Sequence, residues 1–446
     1  MAIIKIIKEG EPQKDIFIKK LAARNMLEDE EVVQTVAKII DDVKKDGDRA
    51  IIEYTGRFDR VELANESIKV HDCEVDEAYG LVGKELKEII GKAKENIRDF
   101  HLRQKENSWI QAKKDGIITG QIIRPLEKVG VYVPGGTAPI ISSVLMNIVP
   151  AKIAGVNRVF MATPPGKEGK INPAMLVAAR EAGADGIYRI GGAQAIAAFA
   201  FGTESVPRVD KIIGPGNIYV SVAKKMVYGY CDIDMFAGPS EIAIVADNSA
   251  NPGFIAADLL SQAEHDALSS AVLLTASPGL AEKVQAAVER QYLRLNRRDI
   301  IEKSLSEYGA IIIVENIGEA IEIVNRIAPE HLELCVVEPF SLLASVKNAG
   351  AIFLGQYSSE PTGDYYAGPS HVLPTGGTAR FSSPLGVADF LKKSSIISYS
   401  KKALYEAKDD IMGFARAEGL DAHANAIEIR FEERFEENFE GRGSNT

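Results

Sequence analysis

At 446 residues, with 46% apolar and 26% charged residues, the chain is long enough for about three domains and has the balance of a globular protein with several cores. Its 63 acidic against 52 basic residues leave a formal net charge of −11, which argues against nucleic acid as the main partner, because phosphate binding needs a basic face. Three scattered cysteines (Cys73, Cys231 and Cys335) indicate neither a disulfide framework nor a thiolate zinc site and fit a cytoplasmic location, while the charged N-terminus and the lack of long apolar runs argue against a signal peptide and a membrane span.

In chain order, residues 1–128 read as a mainly helical region, with charged and apolar residues alternating at helical spacing over 30–45 and 82–104. A polar, glycine-containing patch at 113–121 reads as a hairpin or loop. This region is expected to pack on the second of two α/β domains that follow. The first, 129–239, alternates strands at 129–133, 158–162, 186–190 and 211–213 with helices at 142–154, 173–182, 193–201 and 218–227. The second, 240–388, alternates strands at 241–246, 271–275, 310–314 and 351–354 with helices at 252–263, 279–295 and 318–328. Such alternation predicts right-handed βαβ units and mostly parallel sheets. Residues 355–387 form a long irregular stretch rich in Gly, Pro, Ser and Tyr, a length that in an enzyme usually serves the site. The tail 389–446 reads as a charged helical arm, disordered over 441–446.

The six histidines can be judged one by one. Gln262 and His265 are three apart at the end of a predicted helix, so an amide oxygen and an imidazole share a face and can meet a metal; a helix C-terminal cap is the alternative. Glu330 and His331 put a carboxylate beside an imidazole, a ready acid/base pair, or else an exposed charged turn. Asp364 and His371 lie in the long loop, where glycines let the backbone approach a ligand. Glu418 and His423 fall in the charged tail, where a solvated face is the default, and His71 and His101 read as structural or exposed. Gly135-Gly136, Gly191-Gly192 and Gly214-Pro215-Gly216-Asn217 each follow a predicted strand and precede a helix, where backbone N–H groups can meet a phosphate. None is a GxGxxG, so the usual dinucleotide fingerprint is absent.

Taken together, Gly130-Val131-Tyr132-Val133-Pro134-Gly135-Gly136, Gly191-Gly192-Ala193-Gln194-Ala195, Gly214-Pro215-Gly216-Asn217 and Ala237-Gly238-Pro239-Ser240-Glu241 resemble histidinol dehydrogenase. So do Leu260-Ser261-Gln262-Ala263-Glu264-His265, Ala328-Pro329-Glu330-His331-Leu332 and Gly368-Pro369-Ser370-His371-Val372-Leu373-Pro374-Thr375, and the likeness runs from about residue 20 to 430. The resemblance implies an α/β fold of two incomplete Rossmann-like domains, similar to aldehyde dehydrogenases, with a helical N-terminal region and a C-terminal dimerisation arm. It implies one zinc per subunit held by Gln262, His265, Asp364 and His423, and acid/base work by Glu330 and His331. Substrate contacts are implied for Ser240, His371 and Glu418 together with the metal ligands and the acid/base pair, and NAD contacts for Tyr132, Gln194 and Asn217. The implied partners are L-histidinol, NAD and a second copy of the chain, which shares the active sites.

The implied reaction takes an alcohol through an aldehyde to an acid, a four-electron oxidation that needs two NAD. His331 suits the hydroxyl proton and Glu330 a water that hydrates the aldehyde. Three rivals stand beside this reading: an NAD-dependent enzyme of the same fold acting on another small polar alcohol, a zinc hydrolase, and a non-catalytic binding protein. A thiohemiacetal route through Cys335 is disfavoured, because residues 332–337 read as a buried strand.

Overall fold

Three helices begin on a polar residue followed by proline: Asn172, Asn251 and Ser277 each accept a backbone N–H of the first turn, and the proline behind each sits where no helical N–H is needed. These starts space the βα units of a computed structural model that describes residues 2–22, 30–135, 140–235 and 238–432. Gly136 of the first glycine turn, Ala237 and the tail 441–446 lie outside the described residues.

Chain contacts divide the protein into two units, Met1–Lys105 with Pro125–Phe390, and Glu106–Arg124 with Leu391–Thr446. The first unit holds two parallel sheets. One has five strands in the order Gly186–Arg189, Arg158–Thr163, Lys128–Tyr132, Lys211–Ile213, Asp232–Ile233. The other has six, in the order Lys5–Ile7, Gly309–Ile313, Ser270–Thr275, Glu241–Ala246, His331–Cys335, Ala351–Leu354. Central strands such as Glu241–Ala246 and Ser270–Thr275 are buried throughout, as strands covered on both faces must be. The N-terminal strand Lys5–Ile7, an edge strand of the larger sheet, and the helix Arg298–Tyr308 are not apparent from the sequence pattern.

The expectation that residues 1–128 pack on the second α/β domain is corrected. Among the described residues of this region, only residues 3–7 and the helix Pro12–Ala22 join the second sheet's core. The apolar stripe of Glu30–Asp46 (Val32, Val36, Ile39, Ile40, Val43) buries instead against the alanine-rich helix Gly192–Phe201 of the first sheet. On that sheet's other face, Asp72–Leu81 and Lys84–Leu102 cover Ile141–Ala154 and Pro173–Ala182. An amphipathic stripe says that a helix must be buried, not against which sheet. Residues 106–124 belong with the C-terminal unit, not with the N-terminal helices.

The second unit carries a three-stranded sheet ordered Leu391–Ser398, Ile118–Pro125, Trp109–Ala112, the last two antiparallel as the expected hairpin. The tail is therefore not wholly helical: a strand precedes the helices Lys401–Ala417 and Asp421–Glu428. The core between those helices is small, built on Met412, Ala415 and Ala424. Phe414 (76%), Ile397 (75%) and Ile110 (67%) stand exposed.

Candidate active site

The second sheet reverses its strand order between Glu241–Ala246 and His331–Cys335. Helix Ile317–Ile327 ends when Ala328 takes the left-handed conformation (φ 53°), and Pro329 then turns the chain into the strand. The turn delivers Glu330 and His331 to the amino end of the sheet with only 6% and 3% of their surface exposed, so the exposed-turn alternative fails. A Cβ at Gly350 would collide with the Glu330 carbonyl, so the absent side chain lets strand Ala351–Leu354 come alongside.

The neighbouring strand fixes both side chains. The Glu241 N–H donates to Glu330 Oε2 at 2.9 Å, and His331 Nδ1 donates to the Glu241 carbonyl at 3.0 Å. With Nδ1 holding its proton, Nε2 is the basic atom of the neutral ring. It is buried without a hydrogen-bond partner among the described residues and lies 3.8 Å from Asp364 Oδ1.

Helix Pro252–Ala263 runs back to this same edge. Gln262 closes its last turn, and the His265 N–H bonds the Gln262 carbonyl at 3.3 Å, extending the turn. Gln262 is fully buried, and neither its amide oxygen nor its nitrogen has a partner among the described residues. Residues 360–365 are a short helix within the stretch read as irregular, so Glu360 and Asp364 share a face one turn apart. His265, Glu360 and Asp364 offer donor atoms within 4.8 Å of one another. Glu360 was not singled out from the sequence. Its signal is Ser359-Glu360-Pro361, a helix start four residues ahead of Asp364.

His371 joins the two sheets. Its Nδ1 donates to the Asp364 carbonyl at 3.0 Å, and its Nε2 lies 3.1 Å from Ser143 Oγ, in the first turn of Ile141–Ala154. Ser240, half-buried, immediately precedes the Glu241 that holds the acid/base pair. Glu418 caps Lys401–Ala417 and His423 sits in Asp421–Glu428, both exposed on the second unit. His71 and His101 play structural parts, at a helix N-cap and bonded to the Ile97 carbonyl.

Charge in this cluster is strongly coupled. Burial pushes the Glu330 carboxyl up to about 8 against the pull of His331. Burial also opposes charge on His331, but Glu330 and Asp364 outweigh it and raise the imidazole to about 10. Burial drives Glu360 up to about 7, and it lowers His265 and His371. Asp364 resists burial and is held at about 2 by His331 and His371. Clustered carboxylates, imidazoles and an orphaned buried amide are a donor set that suits a divalent cation of zinc type.

A second set of residues lines the carboxyl end of the first sheet, where strand order reverses between Lys128–Tyr132 and Lys211–Ile213. Such a crevice is the usual nucleotide position in open parallel sheets. Tyr132 ends one strand, and its buried hydroxyl accepts the Gly192 N–H at 3.1 Å. Gly214 follows the other with φ 112°, and a Cβ there would collide with the Tyr132 carbonyl. Asn217 caps Ile218–Val227, its Oδ1 accepting from the Val220 N–H. Gln194 is buried with its oxygen unpartnered among the described residues. Bare glycine turns at two helix N-termini and an orphaned amide fit a dinucleotide held without a GxGxxG.

Comparison with known proteins gives one answer. A histidinol dehydrogenase family model matches residues 22–431. The chain is 54% identical over 430 residues to histidinol dehydrogenase of Clostridium acetobutylicum, covering 96% of this chain and 99% of that one. It is 57% identical over 401 residues to the enzyme of Bacillus subtilis, covering 90% and 93%. The crystal structure of histidinol dehydrogenase from Elizabethkingia anophelis superposes with a TM-score of 0.91 at 38% identity, covering 96% of this chain and 98% of that one.

Proposed function

The chain belongs to the histidinol dehydrogenase family and has that family's activity in histidine biosynthesis, and from this premise we propose that it carries L-histidinol through L-histidinal to L-histidine with two molecules of NAD. The observation that carries the mechanism is the buried Glu330–His331 pair, fixed by one backbone unit of Glu241, with His331 Nε2 facing Asp364 at 3.8 Å and without a hydrogen-bond partner among the described residues.

His331 Nε2 takes the substrate's hydroxyl proton as hydride departs from the same carbon. The resulting aldehyde has no second oxygen, so it is hydrated before it can lose another hydride. Glu330, anchored at Oε2 by the Glu241 amide, keeps its other oxygen for the proton of that water. As the water adds, His331 returns its proton to the aldehyde oxygen, and it then takes a proton from the hydrate as the second hydride leaves. The burial of Glu330 and His331 limits the access of bulk water to the acid/base pair. Cys335 takes no part: it is buried, and desolvation and Glu333 push its thiol well above the usual range.

Gln262, His265 and Asp364, with His423 from the second unit of a partner copy, would hold a zinc, and Glu360 stands beside them. A bound zinc would supply positive charge that attracts the substrate's nitrogen donors and offsets Asp364, so that His331 would stand nearer a neutral base. Tyr132, Gln194 and Asn217 would hold NAD, whose nicotinamide accepts the hydride. Ser240, His371 and Glu418 are assigned to the substrate. We read the two sheets as incomplete Rossmann-like halves of an aldehyde dehydrogenase-like fold. The exposed apolar residues of the second unit support a two-fold dimer in which Glu418 and His423 complete the partner's site. No helix among the described residues is long and apolar enough to cross a membrane, and all three cysteines are free, which supports a cytoplasmic location.

The test is stoichiometry: limiting histidinol with excess NAD should yield two NADH per histidinol and histidine as product. One NADH with accumulating aldehyde, or none, would refute the reading.

A further inference from the structure

The Gly214 turn is held by a buried ion pair that the chemistry above does not use. Lys224, on helix Ile218–Val227, donates from Nζ to the Gly214 carbonyl at 3.0 Å. Asp234, just past the edge strand Asp232–Ile233, accepts the Gly214 N–H on Oδ2 at 2.8 Å. Lys224 Nζ and Asp234 Oδ1 pair directly, and their side chains are 2% and 1% exposed. One ion pair thus grips both polar groups of a single glycine, the residue that leaves the central crevice in a left-handed conformation.

A buried ion pair is weak support for stability, since apolar residues of similar size commonly serve as well. Its clearer use is to fix geometry. Lys224 is also unsuited to touching a phosphate itself, because it is sealed from the surface and neutralised by Asp234. We propose that Lys224 and Asp234 are positioning residues for the dinucleotide: they lock the Gly214 peptide groups so that Gly216, Asn217 and the helix start behind them present a preformed N–H cradle. This rests on the reading that NAD occupies that turn. Preorganisation of this kind is felt in nucleotide affinity more than in the chemical step.

The test is the double variant Lys224→Met/Asp234→Asn, which removes both buried charges at similar size. NADH affinity is read by fluorescence titration and histidinol affinity by calorimetry on zinc-loaded protein. The expected result is a melting temperature near the parent's, NADH Kd raised tenfold or more, and histidinol Kd within twofold of the parent. A folded variant with unchanged NADH Kd, or with both ligands weakened alike, overturns the proposal. Hydrogen exchange on the parent protein decides the matter if the variant does not fold. The Gly214 amide should exchange as slowly as the strands even without NADH, and NADH should slow residues 214–220. Loop-like exchange at Gly214 overturns the clamp, whereas a protected Gly214 with no NADH effect at 214–220 overturns the site reading on which it rests.

Discussion

His331 donates from Nδ1 to the carbonyl of Glu241, ninety residues earlier and one strand across, at 3.0 Å. The bond decides the tautomer and so leaves Nε2 as the basic atom of the neutral ring. Asparagine at 331 keeps a donor of similar reach but has no titrating nitrogen at the Nε2 position. His331→Asn should lower kcat by about 10²–10⁴ with both histidinol and histidinal, with KM changed far less. Steady-state rates on the two substrates check this; a loss confined to one would remove His331 from the other step.

Metal removal separates holding substrate from holding the fold. Of the candidate ligands, Gln262 sits on a helix that Asn251 caps without any metal. Chelator-treated protein should lose turnover and calorimetric binding of histidinol yet keep its circular dichroism spectrum, and stoichiometric zinc should restore both. Tight histidinol binding by rigorously metal-free protein would refute this role.

A shared site makes a countable prediction. Glu330→Gln and His423→Asn, each nearly inactive alone, should regain about a quarter of wild-type activity when co-expressed. Half of randomly paired dimers are mixed, and one of the two pockets in each mixed dimer is intact. Mixed dimers verified by mass spectrometry but still inactive would place both residues in one chain's pocket.

Asp59 gives a pH signature of stability apart from the acid/base and metal cluster, although its charge reaches Tyr132 of the nucleotide crevice. It caps the C-terminus of Asp48–Phe58, and Oδ2 is buried with no partner among the described residues. Desolvation raises its carboxyl to about 6. A folded value above the unfolded one means that the native state binds the extra proton, so this group's contribution falls as pH rises from about 4 to about 6 and stays unfavourable above. Asp59→Asn should stabilise the protein at pH 7–8 by roughly 1 kcal/mol, discounted for the residue's partial exposure. The gain should vanish near pH 4. Equal melting shifts at both pH values would contradict the assignment.

Local chemistry made much of the architecture legible. Asn-Pro and Ser-Pro helix starts and buried apolar strands place the expected βα elements to within about three residues, the helix expected at 279–295 ending at Tyr292. What stayed hidden depends on distance along the chain. Lys5–Ile7 joins a strand three hundred residues later, and the stripe of Glu30–Asp46 does not name its partner sheet. The acid/base pair is visible as adjacent letters, but its burial and its anchoring by Glu241 are not. Glu360 was missed because a single helical turn inside a Gly- and Pro-rich stretch has no periodicity to read.

The most direct test of the division of labour is the single-turnover NADH yield of Glu330→Gln. Only the aldehyde step needs an activated water, and glutamine keeps an oxygen for the Glu241 amide while losing the basic carboxylate. With enzyme in excess over histidinol and NAD saturating, the wild type should form two NADH per histidinol. The variant should form the first NADH at a rate within about tenfold of the parent and the second at least about a hundredfold more slowly, so the trace pauses at one. Two NADH formed without a pause, both phases slowed alike, would contradict the assignment of Glu330 to the water.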